Sequence, residues 1–415
     1  MGDLILIWYN KGMKRNISLN ENLRTIIDIF VSNNYHIYLV GGVVRDNLLS
    51  RKNNDYDLTT DATPDEMIEL FNDKYQLVLN GKKHGTIGIV SGREVYEVTT
   101  FRVDGDYLDN RHPENVNFVK SLKEDLARRD FTMNAMAIDL VNNELIDYFN
   151  GQVDINNKII RTVNEPDKRF KEDALRILRA LRFSATLGFE IEEKTSISII
   201  NNYKLLYGIS TERMLVELKK MINGFDFPKI FLKYNEVFKD LFSLEMNGNE
   251  IDYVNKNISN LKDINQKLAI IFSFSNDLKT LLDKYHFSNN EKKEIIGIIN
   301  ISKKSIKSDK DMRILFNEYD EYLLFKAIEY KGILEDRDYH SLYNENIDKP
   351  NHIKDLKVNG LNLLNEGIKE TDIGDILSIL IKEVIEEKIE NNKDILIKKA
   401  NEIEVGYLLK DKNIV

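Results

Sequence analysis

The amino-acid sequence predicts an α+β fold, with an N-terminal α/β head followed by a long all-helical region. Up to about residue 150, short runs with β-type alternation are interleaved with helical segments. From about residue 168 onward, apolar residues recur mostly at spacings of three and four, the helical period. A chain of 415 residues is also too long for one ordinary core. We therefore expect a head over residues 1–150, a helical neck over 151–225, and a helical body and tail over 226–415.

Composition excludes several classes of protein. The chain has no cysteine, which excludes disulfides, thiol catalysis and thiolate metal sites and fits a cytoplasmic protein. It has no run of eighteen apolar residues, so we expect no membrane-spanning helix and no membrane partner. Its net charge of −9 means that a nucleic-acid partner would require basic residues gathered on one face. Nothing in the sequence specifies an oligomeric state.

The elements of the head can be predicted in chain order. Residues 1–16 have no clear pattern, and we expect an irregular extension there. Residues 36–44 indicate a buried strand that runs into a Gly-Gly turn. Residues 63–74 predict a helix, with Thr63 as the N-cap and Pro64 at the first position. The other β-type runs are residues 75–79, 86–90 and 94–100.

Two further segments complete the head. Residues 104–117 are polar and rich in turn formers, so we expect a mobile loop. Residues 121–138 have apolar residues at helical spacing, so we expect a helix.

Two carboxylates form the most informative pattern. Asp55 and Asp57 are two residues apart, so in a strand they would share one face. Carboxylates packed so closely repel each other unless a cation lies between them, and Mg²⁺ prefers such hard oxygen ligands together with substrate phosphates. Two-metal phosphoryl chemistry normally uses a third carboxylate, for which Glu97 is the candidate. Without further context, an Asp-x-Asp pattern is more often a solvated turn.

A Gly-Gly turn lies just before these acids. Gly41 and Gly42 would let the backbone approach a ligand and present its N–H groups to phosphate. Arg45 would then be placed to pair with a triphosphate oxygen. A plain tight turn is the alternative for the two glycines alone.

These segments resemble a known family. GGVVRD at 41–46 and DYDLTT at 55–60 look like the catalytic motif of class II tRNA nucleotidyltransferases and bacterial poly(A) polymerases, in the polymerase-β-like superfamily. The resemblance implies a polymerase-β-like head, nucleotide-binding roles for Arg128 and Asp130, and a metal site at Asp55 and Asp57. Further matching segments follow in the family's order: RRDFTMNA at 128–135, EDALR at 172–176, ILRALRFSATLGF at 177–189, and TER at 211–213 with Glu217.

A pair of residues offers a way to select bases without a template. Asp173 and Arg176 are three apart, so on one helix they would share a face. Asp offers only acceptors and Arg only donors, and such an edge accommodates cytosine and adenine rather than guanine and uracil. The resemblance implies the same role, because this pair acts as a protein template in the family. A simple surface ion pair is the alternative.

Two more arginines continue this spacing. Arg179 and Arg182 extend a stripe from Arg176, and like charges so placed are favourable beside nucleotide phosphates or an RNA end. A salt-bridged helix face is the alternative. Arg161, Lys168, Arg169 and Lys171 lie just upstream and form the local basic cluster that the net charge requires.

The resemblance also narrows the reaction. The G-x-x-H-G-T pattern at 81–86 resembles the tRNA enzymes, and the loop at 104–113, with Arg111 as a possible lever, has the length typical of complete CCA addition. We therefore expect CCA addition to the 3′ end of tRNA from CTP and ATP, with Mg²⁺. CC-adding, A-adding, poly(A)-polymerase and inactive RNA-binding relatives remain alternatives. No His-Asp doublet occurs, so we expect no phosphohydrolase activity.

Overall fold

The computed structural model describes residues 4–10, 13–53, 56–104 and 116–412 of the chain. The chain forms two compact units, Met1–Leu241 and Phe242–Val415. The predicted three-part division into residues 1–150, 151–225 and 226–415 stays a prediction. In the part of the chain that the structure describes, no helix is both long and apolar enough to cross a membrane.

The first unit contains all the strands of the described residues, most of them in one seven-stranded sheet. The strands are β1 Leu4–Asn10, β2 Met13–Leu19, β3 Ile37–Val40, β4 Leu58–Thr60, β5 Gln76–Val78, β6 Thr86–Ser91, β7 Glu94–Thr100, β8 Arg102–Asp104, β9 Val116–Phe118, β10 Ala137–Asp139, β11 Glu144–Ile146, β12 Ile159–Ile160 and β13 Glu190–Ile191. The order across the large sheet is β11-β10-β3-β4-β7-β6-β5. Only β4 and β7 are parallel neighbours in it, and every other pair is antiparallel.

The helices of this unit flank the sheet and then continue the chain beyond it. They are α1 Glu21–Ser32, α2 Gly42–Leu48, α3 Pro64–Phe71, α4 Leu122–Ala127, α5 Gly151–Asn156, α6 Pro166–Glu172, α7 Leu175–Leu187, α8 Glu193–Asn202, α9 Thr211–Ile222, α10 Phe227–Lys233 and α11 Asn235–Phe242. On one side, Phe30 of α1 packs against Phe71 of α3, with ring centroids 5.1 Å apart. On the other side, α4 helps to bury Val40 and Ala137 of the sheet.

Local sequence signals explain the early elements. The strand at 36–44 and its Gly-Gly turn are confirmed as β3 followed by α2. The predicted helix at 63–74 is α3, where the Thr63 side chain accepts from the Glu66 amide and the Glu66 carboxylate accepts from the Thr63 amide. The runs at 75–79, 86–90 and 94–100 are confirmed as β5, β6 and β7.

Two predictions for the N-terminal unit are wrong. An irregular extension was expected at residues 1–16, but residues 4–10 and 13–16 belong to β1 and β2, which pair in antiparallel fashion. Residues 121–138 do not form one helix: α4 ends at Ala127, and β10 begins at Ala137. The backbone leaves the helix because the Thr132 amide donates to the Arg161 carbonyl and the Val163 amide donates to the Asp130 carbonyl. These bonds to a distant segment replace the helical ones.

The described residues of the polar segment at 104–117 lie in strands. Its two ends belong to β8 and β9, which pair as a short antiparallel ribbon with Arg102 opposite Phe118. The rest of the segment, including Arg111, lies outside the described residues.

The second unit consists of helices, as the apolar spacing predicts. They are α12 Gly248–Asn257, α13 Ile264–Phe272, α14 Leu278–Lys284, α15 Asn289–Ser302, α16 Asp309–Glu318, α17 Glu321–Glu335, α18 His340–Asn344, α19 Gly360–Asn365, α20 Glu370–Ile385 and α21 Lys393–Lys412. Capping boxes at Asn247, Ser288 and Ser308 fix the starts of α12, α15 and α16. The buried Arg313 donates to the carbonyls of Pro350, Val384 and Ile385 and thereby joins α16 to the end of α20.

Candidate active site

A cavity of about 450 Å³ lies in the first unit, where the β3–α2 turn meets the start of α7. It is lined by Gly41, Gly42, Arg45, Asn53, Asp57, Arg128, Arg129, Asp130, Asn134, Asp173, Arg176, Arg179, Arg182 and Phe183. Six of these residues are arginines and three are aspartates. An excess of fixed positive charge in a concave site suits a ligand that carries several negative charges.

The β3–α2 turn supplies one wall of the cavity. Gly41 has φ 73° and ψ −132°, a conformation that residues with a Cβ atom rarely adopt. A Cβ atom there would lie 3.2 Å from Nη1 of Arg129 and 3.4 Å from Oδ2 of Asp57. The glycine therefore brings a carboxylate and a guanidinium close to the same stretch of backbone.

Arg45 is held in place by the protein. Its Nε donates to Oδ1 of Asp46 at 2.9 Å, and its Nη1 donates to Oδ1 of Asn134 at 2.8 Å. Asn53 donates to the other oxygen of Asp46 at 2.8 Å. The guanidinium is thus fixed at the cavity wall instead of sampling many rotamers.

Asp130 connects this wall to helix α7. Its Oδ2 accepts from Nε and Nη2 of Arg179 at 2.9 and 2.7 Å, and its Oδ1 accepts from Asn134 and from the Phe131 amide. Burial opposes ionisation of this carboxyl, but the charge of Arg179 and these hydrogen bonds outweigh it and lower the pKa of Asp130 to about 2. Asp130 is therefore charged at neutral pH.

The adjacent arginines of the RRD segment share one buried carboxylate. Asp125 on α4 accepts from Nε and Nη2 of Arg128 at 3.0 and 2.8 Å and from Arg129 at 3.3 Å. Burial raises the pKa of the Asp125 carboxyl, but the charges of Arg128 and Arg129 lower it by more than burial raises it. The net shift of the pKa is therefore downward. Both guanidinium groups are fixed by this single side chain and still line the cavity.

The three arginines of α7 each contact a carboxylate. Arg176 donates to Glu172 and to the Arg128 carbonyl, and Arg179 pairs with Asp130. Arg182 Nε lies 2.7 Å from Oε2 of Glu217 on α9. All three arginines are therefore salt-bridged, as the alternative interpretation expected. All three also line the cavity.

Asp173 does not share a helix with Arg176. It has an extended backbone, with φ −141° and ψ 102°, and lies between the end of α6 and the start of α7. Its Oδ1 accepts from the Leu175 amide, and its Oδ2 accepts from Arg213 of α9 at 3.4 Å. The expectation of one continuous helix is wrong, yet both side chains line the cavity. Arg213 and Glu217 of α9 thus contact Asp173 and Arg182, respectively.

Phe183 packs beneath three guanidinium groups. The Cζ atoms of Arg182, Arg45 and Arg179 lie 3.9, 5.0 and 5.4 Å from the centroid of its ring. Phe131 contacts the same ring edge-on at 5.8 Å. An aromatic face attracts cations, so Phe183 stabilises positive charge where like charges would otherwise repel.

The predicted metal carboxylates are only partly described. Asp57 is exposed, lines the cavity and directly precedes β4, whereas Asp55 lies outside the described residues. Glu97 is exposed on β7 and is not part of the cavity wall. Leu58 pairs with Val98 in the parallel β4–β7 ladder, so the residues that precede them, Asp57 and Glu97, are neighbours.

The donor chemistry around Asp57 suits a hard divalent cation. A carboxylate facing a cavity that can hold phosphates is the ligand type that such a cation prefers. Among the described residues, however, no group of three or more His, Asp or Glu side chains could hold a metal ion.

Several site residues were not predicted from the sequence. Asn53, Asp46, Asp125 and Phe183 carry the contacts that orient the arginines. The sequence offered a signal for two of them, since Asp46 belongs to the matched segment GGVVRD and Phe183 to ILRALRFSATLGF.

Two of the four basic residues upstream of α7 are bound to other parts of the protein. Arg169 is buried and donates to the Ala127 carbonyl, and Arg161 pairs with Asp154 and Glu192. Lys168 and Lys171 are exposed, so these two retain the predicted ability to meet an RNA backbone.

Three segments of the chain match the models of known protein families. The family described as Poly A polymerase head domain matches residues 37–161. Residues 188–233 match the family described as a probable RNA and SrmB-binding site of polymerase A. Residues 258–400 match tRNA nucleotidyltransferase domain 2, putative.

The chain is also similar to curated proteins and to a solved structure that are CCA-adding enzymes. A CCA-adding enzyme of Staphylococcus saprophyticus is 37% identical over 317 residues, covering 75% of this chain and 77% of that protein. A CCA-adding enzyme of Staphylococcus aureus is 39% identical over 325 residues, covering 77% and 79%. The crystal structure of the Bacillus stearothermophilus CCA-adding enzyme in complex with CTP aligns with a TM-score of 0.71 and 27% identity, covering 95% of this chain and 98% of that one.

Proposed function

Because the chain belongs to the CCA-adding family of tRNA nucleotidyltransferases, we propose that it adds CCA to the 3′ end of tRNA. The enzyme uses CTP and ATP without a nucleic-acid template and releases pyrophosphate. The observation that carries this function is the arginine-lined cavity beside Asp57. A relative with the same fold has been solved in complex with CTP, which supports the proposal. We propose the cytoplasm as its location, as expected from the sequence.

The arginines that line the cavity bind the nucleotide. Arg45 and the backbone at Gly42 hold phosphate oxygens, and Arg128 and Asp130 hold the ribose and phosphates. Arg179 and Arg182 complete the positive wall. Because carboxylates and Phe183 already hold these arginines, little side-chain entropy is lost when the nucleotide binds.

Base selection falls to Asp173 and Arg176. Their donors and acceptors face the cavity from the α6–α7 junction and the first turn of α7. The contacts with Arg213 and Glu172 orient them, so the edge offered to the base is rigid. An amine donor on cytosine or adenine meets Asp173, whereas the carbonyl of guanine or uracil would face the same carboxylate and be repelled.

Phosphoryl transfer requires a divalent cation, and we propose Mg²⁺ held by Asp55 and Asp57. When bound, it neutralises triphosphate charge and lowers the pKa of the tRNA 3′-hydroxyl. Glu97, the neighbour of Asp57 across the β4–β7 ladder, positions that hydroxyl or accepts its proton. The hydroxyl oxygen bonds to the α-phosphorus as the bond to pyrophosphate breaks.

Product sequencing tests the proposed function. We expect tRNA lacking its terminus, incubated with all four nucleotides and Mg²⁺, to end in CCA. A product ending in CC alone, an added A alone, or a long A tail would instead identify one of the alternative activities. The Asp55→Ala and Asp57→Ala variants should keep the fold and lose incorporation, and persistent incorporation would remove that acid from the mechanism.

A further inference from the structure

The open face of strands β5, β6 and β7 carries a group of exposed and partly exposed valines. A solvent-facing antiparallel sheet normally carries polar residues on its outer face. On this face, Val95 and Val78 are 52% and 38% exposed, and Val90 is partly exposed. We call Val78, Gly88, Val90 and Val95 the valine strip.

Gly88 makes the valine strip continuous. A Cβ atom on Gly88 would lie 3.0 Å from Cγ1 of Val95 and 3.1 Å from Cβ of Val78. Without that atom, the two valines close over the glycine from both sides. The result is an apolar patch, bordered on the same face of the sheet by Gln76 and Glu97.

The valine strip leads directly to the candidate catalytic carboxylates. Gly88 is the register partner of Val78 on one side and of Glu97 on the other. Glu97 is in turn the neighbour of Asp57 across the β4–β7 ladder. One row across the sheet therefore runs from the valines to Glu97 and on to Asp57.

The arginine cavity lies on the opposite side of Asp57. Its walls come from the β3–α2 turn and from α7, and β3 is the neighbour of β4 on the side away from β7. In nucleotidyl transfer, the attacking hydroxyl and the leaving pyrophosphate lie roughly in line on opposite sides of the α-phosphorus. If the cavity holds the triphosphate, the attacking strand must approach from the side of the valine strip.

We propose that the valine strip is the subsite for the last base of the tRNA acceptor strand, the base next to the attacking 3′-hydroxyl. The proposal rests on the proposed function. An apolar floor contacts the face of any base without reading its edge, and this is what a growing end requires, because its last base changes from one addition to the next. Glu97 then lies beside the hydroxyl of that nucleotide.

Introducing a negative charge on the valine strip tests the subsite in the full-length protein. We expect Val95→Asp and Val78→Asp to raise the KM for tRNA lacking CCA by about tenfold, since a desolvated carboxylate would face the base and its backbone. The KM for CTP should change by less than about twofold, because the cavity across Asp57 is untouched. Val95→Ile should behave as wild type.

The matched control is Val141→Asp. Val141 is also a 52% exposed valine and lies in the turn between β10 and β11, at the far edge of the sheet. This variant should leave both KM values unchanged. If Val95→Asp and Val78→Asp match Val141→Asp in tRNA KM, the subsite is overturned while the proposed function stands. A wild-type protein that adds no nucleotide to tRNA would instead overturn the proposed function.

A crosslinking experiment with the wild-type protein tests the subsite without relying on the folding of any variant. Truncated tRNA carrying a photoreactive thiouridine at its last position is bound to the wild-type protein and irradiated. We expect the label on the peptide that contains residues 86–97 or on that containing 76–79. A label confined to other segments, or to a second protein chain, would overturn the subsite.

Discussion

A chain of polar contacts joins two of the cavity's cations, Arg45 and Arg179. Asp46 holds Arg45, Arg45 donates to Asn134, Asn134 donates to Asp130, and Asp130 accepts from Arg179. Two of the links, Arg45–Asn134 and Asp130–Arg179, join residues that are far apart in the sequence. Fixed donors aimed at a developing charge stabilise a transition state without reorganising during the reaction, which is how such a network serves phosphoryl transfer.

Loss of the Asp130 charge should cost stability in a pH-dependent way. The folded pKa of about 2 lies below the usual value for aspartate, so the carboxylate stabilises the fold above about pH 4 and loses this contribution as pH falls toward its folded pKa. We expect Asp130→Asn to lower the free energy of unfolding by about 2 kcal/mol at neutral pH. Denaturant unfolding at several pH values measures it. A difference from wild type that persists undiminished at acidic pH would contradict the assignment.

Substitution of Phe183 should weaken nucleotide binding without changing base choice. Phe183→Leu keeps apolar volume but removes the ring face beneath three guanidinium groups, so we expect the KM for CTP and ATP to rise by about fivefold each. The ratio of the two should stay constant, because Asp173 and Arg176 are unaffected. Phe183→Tyr, which keeps the ring face, is the control. Equal KM values for the Leu and Tyr variants would show that only packing matters.

At the scale of elements, the tight connection from β3 to α2 positions the catalytic wall. The buried strand ends at Val40, and Gly41 turns the chain so that α2 begins at once. The same turn brings Asp57 and Arg129 within reach of one backbone position. Similarly, Asp173 has an extended backbone at the break between α6 and α7, and its side chain lines the cavity.

Adding one methyl group to this turn should disrupt catalysis. Gly41→Ala must adopt a strained φ, at a cost of about 1–3 kcal/mol, or move Arg129 and Asp57 apart. We expect CMP incorporation to fall by more than about tenfold, since small displacements at a reacting centre are costly. Gly248→Ala is the control, because a Cβ atom there meets nothing within 4 Å. Equal activity of the two variants would remove the turn from the catalytic geometry.

At the scale of the whole molecule, an acidic chain must bind a polyanion. The net charge is −9, so affinity for tRNA depends on local basic surfaces such as the exposed Lys168 and Lys171. These lysines lie on α6, next to the arginine-rich α7. The buried Arg169 and the partly exposed Arg161 contribute to stability instead, through their carboxylate partners.

Salt dependence should report these contacts. We expect the logarithm of the tRNA association constant to fall linearly with the logarithm of salt concentration. The double substitution Lys168→Ala and Lys171→Ala should reduce that slope by about one to two units while leaving CTP binding intact. Filter binding across a salt series measures it. An unchanged slope would exclude these lysines from the RNA interface.

The sequence by itself determined the elements and motifs that depend on near neighbours. β7 begins and ends where alternation predicts, at Glu94 and Thr100, and α3 begins at the Thr63 cap, because side-chain alternation and helix capping depend on residues a few positions apart. The order of the matched segments was likewise readable, and it pointed to the family that the relatives share.

Only the tertiary structure decided how those segments combine. Contacts with the 161–163 segment end the helix expected at 121–138, and Asp130 pairs with Arg179, far away in sequence. The alignment of Val78, Gly88, Glu97 and Asp57 in one row depends on strand order and register, which no local pattern specifies. Periodicity reports which face a side chain takes on its own element, whereas ion pairs, register and cavity walls arise between elements that only folding brings together.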